Sequence, residues 1–138
     1  MVAIHDVAPA ETWAALQSNP AARLVDVRTD AEWNFVGVPD ITSTGQRIIL
    51  VPWQAYPAMA VNPRFVHGLR EAGVTEKHHI YFICRSGARS LSAAQAAQAE
   101  GFSHVFNVAD GFEGPVDGEG HRGQVAGWKA SRLPWMQR

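Results

Sequence analysis

Residues 80–95 read IYFICRSGARSLSAAQ, and this stretch decides the fold class. An apolar run over Ile80–Cys84 ends at a cysteine, a short loop containing a glycine follows, and a segment of alanine, glutamine, serine and leucine begins at Ser90. A near-continuous apolar run predicts a strand that is buried on both faces, as strands of parallel sheets are. The stretch therefore predicts a strand–loop–helix unit of an α/β protein. We expect Cys84 to lie at the carboxyl end of a parallel strand, where open α/β sheets bind their ligands.

Apolar runs of the same kind recur along the chain. The predicted strands are Arg23–Val27, Ile48–Val51, Ile80–Cys84 and His104–Val108, with a weaker fifth candidate at Val2–Asp6. The segments between the four stronger runs are too long for hairpins and suit helical crossovers. The predicted helices are Ala8–Ser18, Pro63–Ala72 after Asn62 as N-cap, Ser90–Glu100, and a short helix that starts at Asp30 as N-cap. This order predicts an α/β fold with a central parallel sheet, formed by residues 1–138 as a single domain.

Composition narrows the possible functions. The chain has 138 residues, with 12 Lys and Arg against 13 Asp and Glu and a net charge of -1, which gives no general attraction to nucleic acids or anionic membranes. Neither a secretory signal nor an apolar run long enough to span a membrane is visible, so we expect a cytoplasmic protein. Cys84 is the only cysteine, which excludes an internal disulfide and a multi-thiolate metal site. No metal and no cofactor are expected.

The loop after Cys84 has the features of an anion site. Gly87 allows a positive φ in the tight turn from strand to helix, and successive N–H groups in such a turn converge on a bound anion. The start of the following helix, with Arg85 and Arg89, adds positive charge that favours a reactive thiolate. A lone cysteine at a strand end is ordinarily a small buried hydrophobic residue, but the loop favours a nucleophile.

The segment CRSGAR, residues 84–89, resembles the six-residue active-site loop of the rhodanese-like domain family. Three further stretches are similar to family segments: LVDVRTDAEW (Leu24–Trp33), NVADGFEG (Asn107–Gly114) and GWKASRLPW (Gly127–Trp135). The resemblance therefore covers nearly the whole chain. It implies a three-layer α/β/α fold with a central parallel sheet of about five strands.

The resemblance also implies a sulfurtransferase activity. Cys84 would take a sulfane sulfur from thiosulfate or a persulfide and hold it as a persulfide. The acceptor would be cyanide, a thiol or a protein cysteine. The residues implied to hold the persulfide are those of the loop, Arg85, Ser86, Gly87, Ala88 and Arg89. Asp26 and Arg28 are implied to brace the active face, although a merely local ion pair fits their sequence equally well.

Two other functions remain open from the sequence. Cysteine phosphatases and arsenate reductases of this architecture place five residues between Cys and Arg, whereas Cys84 and Arg89 have four between them, which disfavours phosphate. A non-catalytic binding module of the same fold is the other alternative, and the presence of Cys84 and Arg89 speaks against it. The stretch Gly37–Arg47 lacks the Gly-His-Ile-Pro-Gly-Ala pattern frequent in the family, which leaves the pocket rim and the substrate open.

The last predictions concern the tail, residues 110–138, and three aromatic residues. Residues 110–120 are rich in glycine and acids, and we expect a surface loop there. For residues 121–138 we expect a small helix that packs its tryptophans, Trp128 and Trp135, on the domain. Phe35, Trp53 and Phe112 are candidates for the pocket rim, although aromatic residues in such loops are more often part of the core.

Overall fold

The computed structural model describes residues 3–138, which fold around a five-stranded parallel sheet. In chain order the elements are β1 (His5–Val7), α1 (Pro9–Ser18), β2 (Ala22–Asp26), α2 (Asp30–Phe35), β3 (Val38–Pro39), β4 (Ile49–Leu50), β5 (Gln54–Ala55), β6 (Ala60–Val61), α3 (Phe65–Glu71), β7 (His79–Ile83), α4 (Ala88–Ala99), β8 (Val105–Val108) and β9 (Trp135–Met136). The sheet order is β1-β8-β7-β2-β4, with every pair parallel. The predicted α/β fold with a central parallel sheet is confirmed, and Cys84 follows its middle strand.

Both faces of the sheet are covered by apolar layers. On one face, β2, β7 and β8 pack against α3 and α4 through a buried cluster that includes Phe65, Leu69 and Phe82. The other face packs against α1 and the tail through a cluster that includes Leu16 and Trp128. Burial on both faces explains why the strand sequences show so little polar alternation.

The ends of several elements differ from the prediction. Thr29, not Asp30, is the N-cap of α2, because its hydroxyl accepts the Glu32 N–H while the Glu32 carboxylate accepts the Thr29 N–H. Helix α3 starts at Phe65 rather than at Pro63, because the Asn62 side chain accepts the Arg64 N–H in a turn that precedes the helix. Of the fifth predicted strand, Val2–Asp6, the structure has β1 at His5–Val7, and Val2 lies outside the described residues.

Helix α4 starts at Ala88, two residues earlier than predicted. Gly87 precedes it in the left-handed region, with φ +116°, and therefore ends the loop directly at the first helical turn. The positive φ expected at Gly87 is confirmed. Ala88 and Arg89 thus belong to the first turn of α4 as well as to the loop.

The prediction of a small helix within residues 121–138 is wrong. Turns occupy the described residues up to the short strand β9, which pairs antiparallel with β3. Gly120, Gly123 and Gly127 all have a positive φ, which is incompatible with a continuing helix. Trp128 is nevertheless fully buried, as expected, and its indole N–H donates to the Pro134 carbonyl at 2.7 Å, whereas Trp135 is 40% exposed.

A small antiparallel hairpin, β5–β6, was not predicted. Gln54 of β5 and Met59, in the turn between the two strands, line the pocket described below. None of the helices within residues 3–138 has the length and apolar character that crossing a membrane requires.

A fully buried ion pair connects the end of β2 to the tail. Arg28 donates from Nη2 to Asp26 Oδ2 at 2.7 Å and to the Gly37 carbonyl at 2.7 Å. Its guanidinium carbon lies 4.3 Å from the centre of the Phe112 ring. The pair therefore ties β2, the end of α2 and the tail together below the sheet's carboxyl edge.

We expect Asp26→Asn to destabilise the protein by about 3–5 kcal/mol, since it leaves the buried Arg28 charge without a counter-charge. The exposed, isosteric change Asp30→Asn, in the first turn of α2, should cost less than about 1 kcal/mol. Urea unfolding of both variants measures the difference. Equal and small effects would show that the buried pair does not hold the fold together.

Candidate active site

The thiol of Cys84 lies at the bottom of a pocket at the carboxyl edge of the sheet. The residue is buried, with 1% of its surface exposed. Its Sγ accepts the Gly87 N–H at 3.1 Å and lies 3.1 Å from the Ser90 hydroxyl oxygen. Two hydrogen-bond donors from the loop and the first turn of α4 therefore converge on the sulfur, which is the arrangement that stabilises a negative charge there.

The backbone carbonyls of Cys84 and Arg85 are turned toward the segment Phe112–Gly114. Phe112 N–H donates to the Cys84 carbonyl at 2.7 Å, and the N–H groups of Glu113 and Gly114 donate to the Arg85 carbonyl at 2.9 and 3.1 Å. A Cβ on Gly111 would overlap the Cys84 carbonyl oxygen, so this close approach of two backbones requires glycine. Because a trans peptide points its N–H opposite to its carbonyl, the N–H groups of Arg85 and Ser86 are turned away from this segment.

The N–H groups of the loop are available for an anion. Within residues 3–138, the backbone N–H groups of Ser86, Ala88 and Arg89 donate to no other group of the chain. The first N–H groups of a helix lack partners inside the helix and carry its partial positive charge. The arrangement can therefore accept a negatively charged sulfur added to Sγ.

Ser90 joins the thiol to a buried polar cluster. Its hydroxyl lies 2.5 Å from Asn107 Oδ1 as well as 3.1 Å from Cys84 Sγ, and Asn107 Nδ2 donates to Asp6 Oδ1 and to the Gly87 carbonyl. The single hydroxyl proton can serve either the sulfur or Asn107. A negative charge on the sulfur favours donation to Sγ, whereas beside a neutral sulfur Asn107 Oδ1 is the stronger acceptor.

Arg89 is held by a carboxylate that the sequence analysis missed. Its Nη1 and Nη2 donate to Glu32 Oε1 and Oε2 at 2.7 and 2.8 Å, in a bidentate, half-buried pair. Burial opposes ionisation of Glu32, but the hydrogen bond and charge of Arg89, with help from Thr29, lower its pKa from 4.5 to about 2. Both side chains are thus charged at neutral pH, and each largely neutralises the other.

The pocket has a volume of about 340 Å³ and combines charged, polar and apolar walls. Its lining residues are Glu32, Gln54, Met59, Cys84, Arg85, Ser86, Ala88 and Arg89. Arg85 is exposed at the mouth and makes no side-chain hydrogen bond or ion pair within the described chain. Its charge is available to an incoming anion, unlike that of Arg89.

The structure brings the predicted loop residues together but not all of the predicted site. Cys84 and the loop residues Arg85, Ser86, Ala88 and Arg89 line the pocket, and Gly87 supplies an N–H to the sulfur. Asp26 and Arg28 are buried below the pocket and do not line it.

The candidate rim aromatics have three different environments. Trp53 packs edge-on against Phe65 of the core at 5.2 Å, and Phe112 is fully buried under Arg28. Phe35 is 84% exposed and lines a recess beside the thiol pocket.

Comparison with known proteins gives the family. The protein-family model described as the STR4 middle domain matches residues 5–138 of this chain. The chain belongs to this family. It is 35% identical over 137 residues to the uncharacterised protein RC0915 of Rickettsia conorii, which covers 98% of this chain and 99% of the relative.

Solved structures show the same fold. The crystal structure of Rv0390 from M. tuberculosis is 43% identical, covers 99% of this chain and 100% of its own, and superimposes with a TM-score of 0.90. The polysulfide-sulfur transferase homodimer of Wolinella succinogenes is 20% identical and matches 98% of this chain and 80% of its own with a TM-score of 0.67. Rhodanese-like domains are among the structural matches. The chain has the rhodanese-like fold.

We expect the contribution of Glu32 to the free energy of unfolding to depend on pH. Its pKa is about 2 in the folded protein against 4.5 as the ordinary value, so the Glu32–Arg89 pair stabilises the fold above pH 4.5 and is lost as the pH falls toward 2. Glu32→Gln keeps the capping residue type of the Thr29 box and removes the charge. The difference in unfolding free energy between wild type and Glu32→Gln should therefore shrink over that range. A difference independent of pH would contradict the ion-pair interpretation.

Proposed function

We propose that this protein is a single-domain sulfurtransferase of the rhodanese type, in which Cys84 carries the transferred sulfur. The observation that carries the proposal is the convergence of the Gly87 N–H and the Ser90 hydroxyl on Cys84 Sγ. Beside it, Ser86, Ala88 and Arg89 line the pocket, and their N–H groups have no partner within residues 3–138. The polysulfide-sulfur transferase with the same fold supports the same class of chemistry. A reducing compartment such as the cytoplasm would keep the lone thiol available.

The proposed first step forms a persulfide on Cys84. The thiolate attacks the outer sulfur of the donor, a bond forms between Sγ and that sulfur, and the bond to the donor's inner sulfur breaks. The departing group, sulfite from thiosulfate or a thiolate from a persulfide, leaves with the electron pair. The negative outer sulfur is then held by the loop N–H groups.

The second step returns the enzyme to its starting state. An acceptor such as cyanide, a thiol or a protein cysteine attacks the outer sulfur, and the Cys84 thiolate leaves with the electron pair of the broken S–S bond. The Gly87 N–H and the Ser90 hydroxyl stabilise this leaving thiolate. No second cysteine of the chain is required, because the sulfur enters and leaves through external molecules.

The alternatives predict different properties. A non-catalytic module would not need hydrogen-bond donors aimed at the sulfur. A phosphatase would need a wider loop, and here Arg89 is already paired with Glu32 rather than open to a tetrahedral oxyanion. Hydrolysis of an aryl phosphate that depends on Cys84 would favour the phosphatase over the present proposal.

We expect treatment with thiosulfate or a persulfide donor to add one sulfur atom to the protein, as measured by intact mass. Cyanide should remove it, and Cys84→Ala should never acquire it. Arg89→Ala should form the persulfide more slowly than Lys129→Ala, because Arg89 lines the pocket and Lys129 packs over Trp135. Absence of sulfur uptake from every sulfane donor would refute the proposal.

Ser90→Ala should slow the transfer of sulfur from the Cys84 persulfide to cyanide by about tenfold or more. A hydrogen bond to a charged group is worth about 1.5–3 kcal/mol, and each 1.36 kcal/mol changes a rate about tenfold. Ser92→Ala, an exposed serine on the same helix, is the matched control and should transfer at the wild-type rate. Single-turnover release of thiocyanate measures both, and a Ser90→Ala rate equal to that of the control would remove Ser90 from the mechanism.

A further inference from the structure

The charges around the thiol pocket nearly cancel. Glu32, Arg85 and Arg89 are its charged walls besides Cys84 itself. Hydrogen bonding to Glu32 raises the pKa of Arg89 against the effect of burial, and the negative charge of Glu32 acts in the same direction. A Cys84 thiolate together with Glu32 therefore balances both arginines. A pocket in this state offers little net attraction to a doubly charged anion.

We propose that Glu32 makes this pocket selective for sulfur donors of low charge, that is, for organic persulfides over the thiosulfate dianion. The inference rests on the proposed function and specifies its substrate class. The family resemblance implies that Arg89, with the other loop residues, helps to hold the persulfide. In the structure the bidentate pair with Glu32 already neutralises the charge of Arg89. Of the two arginines that line the pocket, Arg85 is the one whose side chain has no partner in the described chain. A dianion would meet one free cation and a fixed carboxylate.

A recess beside the thiol pocket supports the organic part of this donor. It has a volume of about 410 Å³ and shares Glu32 and Met59 with the thiol pocket. Its remaining walls are mainly apolar: Thr29, Ala31, Phe35, Val36, Tyr56 and Pro57. Phe35 and Tyr56 are 84% and 64% exposed. An apolar substituent of a persulfide can cover these rings while its outer sulfur reaches Cys84, whereas thiosulfate has no group to place there.

Two alkylating reagents test the charge of the pocket without any sulfur transfer. Iodoacetate and iodoacetamide react with the Cys84 thiolate by the same displacement of iodide, but only iodoacetate is an anion. We expect Glu32→Gln to raise the ratio of the iodoacetate rate to the iodoacetamide rate about fivefold, the effect of one nearby unit charge in a water-like environment. The increase should weaken at high salt.

Matched variants show whether the effect belongs to Glu32. Asp30→Asn removes an exposed carboxylate two residues away on the same helix, outside the pocket, and should leave the ratio unchanged.

Phe35→Ser tests the apolar recess. It should slow alkylation by N-phenyl iodoacetamide severalfold while leaving the rate with iodoacetamide itself unchanged. Val125→Ser, which changes an exposed valine that lines neither cavity, is its control.

The donor preference is then measured directly. The ratio of kcat/KM for an aryl persulfide to that for thiosulfate should exceed one in the wild type and should fall in Glu32→Gln. An unchanged iodoacetate ratio in Glu32→Gln would overturn the inference, even if sulfur transfer occurs. A changed ratio without sulfur uptake from any donor would support the charge assignment and refute the proposed function instead.

Discussion

The candidate site depends on one close contact between two backbone segments. The carbonyls of Cys84 and Arg85 accept N–H groups from the turn at Phe112–Gly114, and Gly111 has no side chain that would prevent this approach. A trans peptide points its N–H opposite to its carbonyl, so this contact turns the N–H groups of Arg85 and Ser86 away from the turn and fixes the start of the loop that leads to the Gly87 N–H at the sulfur. The turn is itself fixed, because the Arg28 guanidinium stacks on the Phe112 ring and the backbone N–H of Trp128 donates to the Gly111 carbonyl. The buried Asp26–Arg28 pair and the tail thus act on the thiol through the backbone rather than by touching it.

Charge at the site is set by pairs of groups rather than by single residues. A loop with two arginines looks strongly positive in the sequence, but Glu32 neutralises one of them. Local donors act at shorter range: the Gly87 N–H and the Ser90 hydroxyl each lie 3.1 Å from Sγ. Stabilisation of a thiolate is therefore separated from attraction of anions. The first comes from fixed dipoles at the sulfur, and the second depends on Arg85 and on how completely Glu32 compensates Arg89.

The sheet was predictable because its strands are buried on both faces, which leaves long apolar runs such as Ile80–Cys84 in the sequence. The positive φ of Gly87 was predictable because glycine readily adopts it in a tight turn from strand to helix. The partner of Arg89 was not, since Glu32 lies 57 positions away and only the fold brings the two together. A local signal, the Thr-x-x-Glu capping box at Thr29, would have placed the N-cap correctly. The tail helix was predicted from its tryptophans, but Gly120, Gly123 and Gly127 adopt a positive φ and prevent it.

A crystal structure of the protein after exposure to thiosulfate or a persulfide tests most directly whether Cys84 carries the transferred sulfur. We predict one additional sulfur bonded to Cys84 Sγ, surrounded by the N–H groups of Ser86, Ala88 and Arg89, with the Ser90 hydroxyl turned toward Asn107. We also predict that the Glu32–Arg89 pair stays closed. An unmodified thiol with a donor anion bound to a freed Arg89 would contradict both the role of the loop and the role of Glu32.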